Sequence, residues 1–255
     1  MSNVGIQVRQ SLVSSMLTSC AWQVYLTYIE LAHRRPKIAL FIGSMLAKTY
    51  EFYFKQKISG TNLSINDLAD YYSDLWTKSF SKDTDMAGLG ISQARMIGFS
   101  LITAYWTLAK DYDAVSVEEE GFVEIGEDRI VTHSDIRLSS GLIIELKSAR
   151  TYNGRNGEYF PDYSDRSVAW KPQPMIHMLA FPGHDYEYNI VGKGEHELVS
   201  RFSVKHSAEK LQSFKVNTLA PVMRQIKHGD FPATLGPLCN YCDWAKDIKR
   251  CGLGS

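Results

Sequence analysis

Cysteine is scarce in this chain: four residues in 255. In a reducing compartment so few thiols mean metal more readily than disulfides. Neither sign of charge is in excess, since 28 Lys and Arg meet 28 Asp and Glu for a net charge of zero. No overall basic field advertises nucleic acid, so a site for it must be a local patch. No apolar run approaches the roughly 20 residues that span a bilayer. The N-terminus lacks the basic stretch, apolar run and small-residue cleavage site of a signal peptide. These absences set the expectation of a cytoplasmic protein with no membrane partner. Internal repeats and low-complexity segments are also missing. What remains is an ordinary globular composition, 44% hydrophobic, at a length that suits one large domain or one domain with an appendage.

The first half of the chain reads as helices. Residues 11–33 carry Leu17, Trp22, Tyr25, Leu26 and Ile29 near a helical stripe, with Cys20 inside it. Arg34-Arg35-Pro36-Lys37 is a basic break. A second helix over about 37–58 carries Gly43, Ala47 and Glu51. Ser64-Ile65-Asn66-Asp67 is a capping box that opens a helix to about residue 79. A further helix over 92–111 directs Met96, Phe99, Leu101, Tyr105 and Leu108 mostly inward. From Ala114 the period changes to that of strands, so the sheet is expected to start after four helices. Glu118, Glu119 and Glu120 read as a solvated strand edge. The segment after Lys147, to Trp170, reads as a long loop whose tyrosines and arginines suit either base stacking or surface packing. Residues 173–181 form a short helix, two more strands follow, and a helix from Ser207 to about His228 closes the body. The divisions expected are 1–113, an N-terminal helical region; 114–232, the core; and 233–255, a cysteine-bearing tail.

Within the core one stretch concentrates chemistry, Arg129 to Arg150. Apolar runs flank Ser139-Ser140-Gly141, the pattern of a β-hairpin. Glu145 and Lys147 point the same way with Leu146 buried behind them. Pairing across the turn can bring Asp135 beside them, while His133 is read as directed to the opposite side. Two carboxylates from separate strands suit a hard divalent cation such as Mg²⁺ or Mn²⁺, and a nearby lysine can neutralise developing charge. The same residues also suit a solvated hairpin with an i, i+2 ion pair.

The tail supplies a second constellation. Cys239-x2-Cys242 is a chelating pair, and eight residues separate Cys242 from Cys251. Three cysteines cannot fill a tetrahedral thiolate site, and the remaining one is Cys20. Such sites hold zinc or an iron–sulfur cluster, and the spacing does not separate the two.

A cysteine in the first helix, then a Gly-initiated helix, Asp135, Glu145-x-Lys147, Gln173 and Cys239-x2-Cys242…Cys251 is an order that resembles the RecB-like PD-(D/E)xK nucleases. It is most similar to their iron–sulfur branch, which includes AddB-type, CRISPR-associated and phage-borne exonucleases. The resemblance runs from about Leu12 to Cys251. It implies an α/β fold with a restriction-endonuclease-like core: a central mixed β-sheet flanked by helices, an N-terminal helical region and a C-terminal iron–sulfur tail. It implies a divalent-metal-dependent DNA exonuclease acting on single strands or DNA ends, with a 4Fe–4S cluster on Cys20, Cys239, Cys242 and Cys251. Asp135, Glu145 and the Leu146 carbonyl correspond to the Mg²⁺ or Mn²⁺ ligands, Lys147 to the catalytic lysine, and Gln173 to a glutamine near the site and the DNA. Three departures stand out. His177 replaces a tyrosine that meets DNA, where Arg150 is a further candidate contact. The Cys242–Cys251 spacing is longer than usual. Ala47 stands where the helix should carry a metal-binding histidine, which leaves Glu51, one turn on, as a substitute ligand. A non-catalytic DNA-end-binding subunit, a processing nuclease partnered with a CRISPR integrase, recombination protein or helicase, and a zinc-binding regulator are the competing readings. The chain lacks GxxxxGK[ST], so it does not itself unwind duplexes. The setting implied is bacterial, archaeal or a phage-infected host.

Overall fold

The computed structural model describes residues 5–32, 35–153, 159–161, 163–193 and 199–234, with Gly236, Cys239, Cys242, Trp244 and Cys251 of the tail. The chain begins with a short strand, β1 (Gln7–Arg9), and runs directly into α1 (Gln10–Thr18). The helix expected over 11–33 is broken here. Thr18 Oγ1 donates back to the Ser14 carbonyl at 2.8 Å and Ser19 turns extended, as serine- and threonine-rich helix ends do. Cys20 therefore stands in the break, capping the short α2 (Ala21–Val24), which a π turn prolongs over Tyr25–Ile29.

Three longer helices follow, α3 (Ile38–Ile58), α4 (Ile65–Ser79) and α5 (Ile91–Ala109). The capping box at the head of α4 is formed in both directions between Ser64 and Asp67. Leu101 and Tyr105 are buried as the period predicts, but Met96 is 62% exposed. The sheet strands come next: β2 (Ala114–Ile125), β3 (Asp128–Leu138), β4 (Ile143–Asn153) and β5 (Tyr159–Pro161). The supposed long loop after Lys147 is thus partly strand, and α6 (Asp165–Ala169) takes more of it. Of its residues, 154–158 and Asp162 lie outside those described. Then come α7 (Pro172–Ala180), β6 (Tyr186–Lys193), β7 (Val199–Val204), α8 (Ala208–Phe214) and α9 (Ala220–His228). A π turn, Lys215–Leu219, joins the last two. Pro221 has no N–H to give an α-helical bond, and the looser turn adjusts the ladder ahead of it.

The seven strands form one mixed sheet in the order β1-β3-β4-β6-β7, with β2 along β3 and β5 on β4. It does not wait for four helices, because β1 pairs in parallel with Arg129–Val131 of β3. Asp128 fastens that arrangement: its Oδ1 accepts from the Ile6 N–H and from Lys227 of α9, both at 2.9 Å. Alternation along each strand divides the core. Ile136, Ile144 and Leu146 face α3, α4 and α5, while Ile143 and Ile190 face the opposite layer. Ile130 and Val123 pack with α1, α7 and α9. Helices thus cover both faces. A buried polar node ties α5 to the sheet: Asn189 Oδ1 accepts from Tyr105 and Tyr112, and its amide donates to Glu187. Among the described residues no helix is long and apolar enough to cross a membrane.

One consequence of this topology positions the site. β2 occupies one edge of β3 for its whole length. The other edge is shared, by β1 at Arg129–Val131 and by β4 at Ile136 and Arg137. Between them, Thr132 to Asp135 have no ladder partner on that side.

Candidate active site

Asp135 is the last residue of this gap. Ile136 pairs with Ile144 and Arg137 with Ile143, after which β3 and β4 separate. The next step of that register would set Asp135 opposite Glu145. Instead of a backbone bond, the Asp135 carboxylate fills the opening and accepts the Leu146 N–H at 2.9 Å. An extended residue directs its N–H and C=O to the same edge. The Leu146 carbonyl therefore faces the gap as well.

Glu145 is 1% exposed and forms a short ion pair with Lys147, two residues along the strand. Tyr186 donates to its other oxygen at 3.3 Å. Burial would push the Glu145 carboxyl up. The Lys147 charge, the positive side of His177 and hydrogen bonds from Lys147 and Gln173 outweigh it, and the carboxyl lies below its usual range. Lys147 is raised although burial works against it, because Glu145 and Asp135 both favour the ammonium. Asp135 goes the other way. Burial, then repulsion from Glu145, push it up to about 8. One lysine serves two acids, and the acid without it carries the strain of two negative charges. The three residues expected to converge do so.

Two clefts meet at this carboxylate. The larger, about 1170 Å³, runs between β4 and α3 and is bordered by Gly43, Ala47, Lys147, Arg150 and Lys193 as well as Asp135. The smaller, about 390 Å³, opens at the strand gap. Gln173 of α7, the head of α1 and Glu118 of β2 line it with Thr132, His133 and Asp135. His133 thus shares a cleft with Asp135 instead of pointing away. Residues two apart on a strand lie on one face, so the opposite assignment was an error of parity.

The remaining candidates separate. Ala47 borders the large cleft, but Glu51 borders neither; its carboxylate holds Lys55 at 2.5 Å. His177 is fully buried, edge-on to the Tyr186 ring at 5.3 Å, with neither ring nitrogen hydrogen-bonded. It backs Glu145 and does not present itself to a strand. Arg150 is exposed on the large cleft. Glu118, read as solvated edge, sits across β2 from Asp135, between the pairs Val117–Ile136 and Glu119–Ser134. Burial and the neighbouring Glu51 charge push its carboxyl up. Its φ of 51° is an uncommon conformation for a non-glycine residue, and such strain concentrates at functional sites.

Beyond the other end of α1 the tail comes back to the break that follows it. The Trp22 N–H donates to the Pro232 carbonyl at 3.3 Å. Thr234 then touches two cysteines: its N–H donates to Cys20 Sγ at 3.4 Å and its carbonyl accepts from the Cys239 thiol at 3.8 Å. The Cys242 N–H closes a turn onto the Cys239 carbonyl. All four cysteines are free and half-buried. Among the described residues no three His, Cys, Asp or Glu side chains are already disposed around a common metal position.

Neither a protein-family model nor a curated protein matches the chain. Solved structures do. A candidate exonuclease from Eubacterium rectale superposes with a TM-score of 0.57 at 12% identity, covering 95% of this chain and 87% of that one. The likeness is one of fold, the mixed sheet with helices on both faces. SSO0001 aligns over 80% of this chain and 93% of its own, at 13% identity and a TM-score of 0.36.

Proposed function

We propose that this chain is a divalent-metal-dependent deoxyribonuclease of the PD-(D/E)xK type, with a restriction-endonuclease-like core, that trims DNA strands from their ends. The observation that carries the reading is the convergence of Asp135, Glu145 and Lys147 where β3 and β4 part, at the meeting point of two clefts. The fold shared with the Eubacterium rectale protein supports it, as does that protein's name.

The donor set suits a hard cation: two carboxylates and the Leu146 carbonyl, with Glu118 across the strand pair. Bound there, Mg²⁺ or Mn²⁺ would acidify a water and offset phosphoryl charge. The chain's own groups do the rest. Lys147 holds its proton and places a fixed cation beside the reacting phosphate. Gln173 and Tyr186 orient Glu145 by hydrogen bonds. Arg150 and Lys193 give the large cleft a basic floor for the sugar–phosphate backbone. Cys20, Cys239, Cys242 and Cys251 form the donor set for a 4Fe–4S cluster, and the contacts of Thr234 with two of these sulfurs support its return to Cys20.

The test is cleavage of end-labelled single strands with and without Mg²⁺ or Mn²⁺. We expect metal-dependent release of short products, lost in EDTA, in Asp135→Ala and in Lys147→Ala, with each variant still folded. Full activity in Lys147→Ala would remove this hairpin from the chemistry. Binding without cleavage under every metal condition would instead make the chain an end-binding subunit.

A further inference from the structure

All five tryptophans lie among the described residues, and Trp170 alone is exposed, at 71%. A ring held in water is unusual, because tryptophan is highly buried on average. The backbone keeps it there. Trp170 ends α6, Lys171 caps α7, and the Lys171 N–H closes onto the carbonyl of the fully buried Val168 at 3.2 Å. Pro172 then starts α7 with a fixed φ. Lys210 of α8 places its ammonium 5.2 Å from the Trp170 ring centroid. Arg166 is exposed four residues back, one turn earlier along α6. Against the acids Asp165 and Glu209, residues 163–171 and 205–215 carry five lysines and arginines.

Two independent routes join this patch to the candidate active site. Gln173, which lines the small cleft, is three residues from Trp170 and so within about 11 Å of it between Cα atoms. Lys171 lies 4.6 Å from the Tyr163 ring centroid, that ring is 6.1 Å from the ring of Tyr188, and Tyr188 is the register partner of Glu145. A nucleotide matches both members of the Trp170–Lys210 pair: a base offers a face to the indole, and the phosphate beside it offers an anion to the lysine. An apolar protein surface would match only the ring and would strip water from the ammonium.

We infer that Trp170 and Lys210 form a platform on which one base of an unpaired DNA strand stacks, outside the two clefts, with Arg166 beside its phosphates. The inference rests on the nuclease reading for the kind of strand. A base stacked inside a duplex has no free face to give, so the platform holds single strand next to the reacting bond and discriminates against duplex.

Binding is read in EDTA by fluorescence anisotropy on a labelled oligothymidylate of about 12 nucleotides, within the roughly 4–16 that such surfaces span. Trp170→Ala should weaken it about 5- to 150-fold, the worth of one stacked base, without moving the melting temperature. Trp170→Phe keeps a ring and should retain most of the affinity, whereas Trp170→Leu keeps only apolar bulk and should not. Lys210→Gln should make the salt dependence shallower, by about 0.7 in the log–log slope. A strand of the same length made of abasic sites should bind the wild type and Trp170→Ala alike. Equal affinity of those two proteins for oligothymidylate, a Trp170 effect that persists on the abasic strand, or a Leu variant as good as the Phe one overturns the platform. Metal-dependent cleavage that Asp135→Ala abolishes would leave the nuclease reading standing in that case. A Trp170-dependent affinity with no cleavage under any metal would uphold the platform and sink the nuclease reading.

Discussion

Lys193 lies beside Arg150, its register partner on β4, and both border the large cleft. Burial, helped by the Arg150 charge, pushes the lysine down to about 8. Strand affinity should therefore weaken as pH rises through 8. Lys193→Arg should flatten that dependence, since guanidinium stays charged. Coincident pH profiles for the two proteins would take Lys193 out of the interface. Stability moves the opposite way. Between about 8 and the ordinary 10.5 the unfolded lysine keeps a proton that the folded one has lost, so this group makes the fold more stable as pH climbs through that window. Asp135, Glu145 and Lys147 were legible in the sequence because a hairpin is local: turn residues and alternation suffice to place them. Glu118 was not, since it looks like any member of the run Glu118–Glu120. Its place depends on a register shift between Ala114 and Ser116 and on a positive φ, neither of which composition reveals.

At the scale of elements, α4 and α5 meet at Gly98. A Cβ on Gly98 would stand 2.0 Å from the Tyr72 hydroxyl, which donates to the Arg95 carbonyl. Helix propensity alone says Gly98→Ala should stabilise by about 1 kcal/mol. Overpacking says it should cost about 1–3 kcal/mol, and the contact is close enough that we expect the cost to win. Urea denaturation decides the sign. Adding Tyr72→Phe should recover part of the loss and not all, because Cζ would still be 2.8 Å from the new methyl. The limits of α3, α4, α5 and α7 were readable from period, capping box and proline. The break at Ser19 was hidden, because the apolar stripe continues across it into Trp22, Tyr25 and Leu26.

Over the whole molecule, the features hardest to read are those joining distant parts of the chain. β1 is three residues long and has no period to betray it; it is a strand because β3 offers it an edge. The closure of the small cleft by α1 follows from that pairing. A chelating pair demands further ligands, which is why the cysteines raise the expectation of a long-range return, and Thr234 does touch both Cys20 and Cys239. Their proposed site makes a prediction for the entire fold. Cys20→Ala should behave like Cys251→Ala, with loss of iron and colour and a lowered melting temperature, because a crosslink between chain ends restricts the unfolded state. Asp135→Ala should keep its colour while losing cleavage. A full complement of iron in Cys20→Ala would separate the first cysteine from the tail.

The pairing of β1 with β3 also has a history in time. Ile6 and Asp128, joined by a hydrogen bond, are 122 residues apart. A ribosome adding about 5–20 residues per second needs roughly 6–25 seconds to supply that partner. For that interval Val13 and Leu17, on the side of α1 that packs with Val123 and Ile130, have been made but lack those partners. The hairpin of β3 and β4 can close within itself as soon as it emerges, yet the small cleft beside it is complete only when β3 captures a segment translated long before. In a nascent chain, then, the hairpin that carries Asp135, Glu145 and Lys147 closes from local sequence, and the cleft beside it from a pairing across 122 residues. Whatever shields those opening residues during synthesis governs how many molecules acquire both.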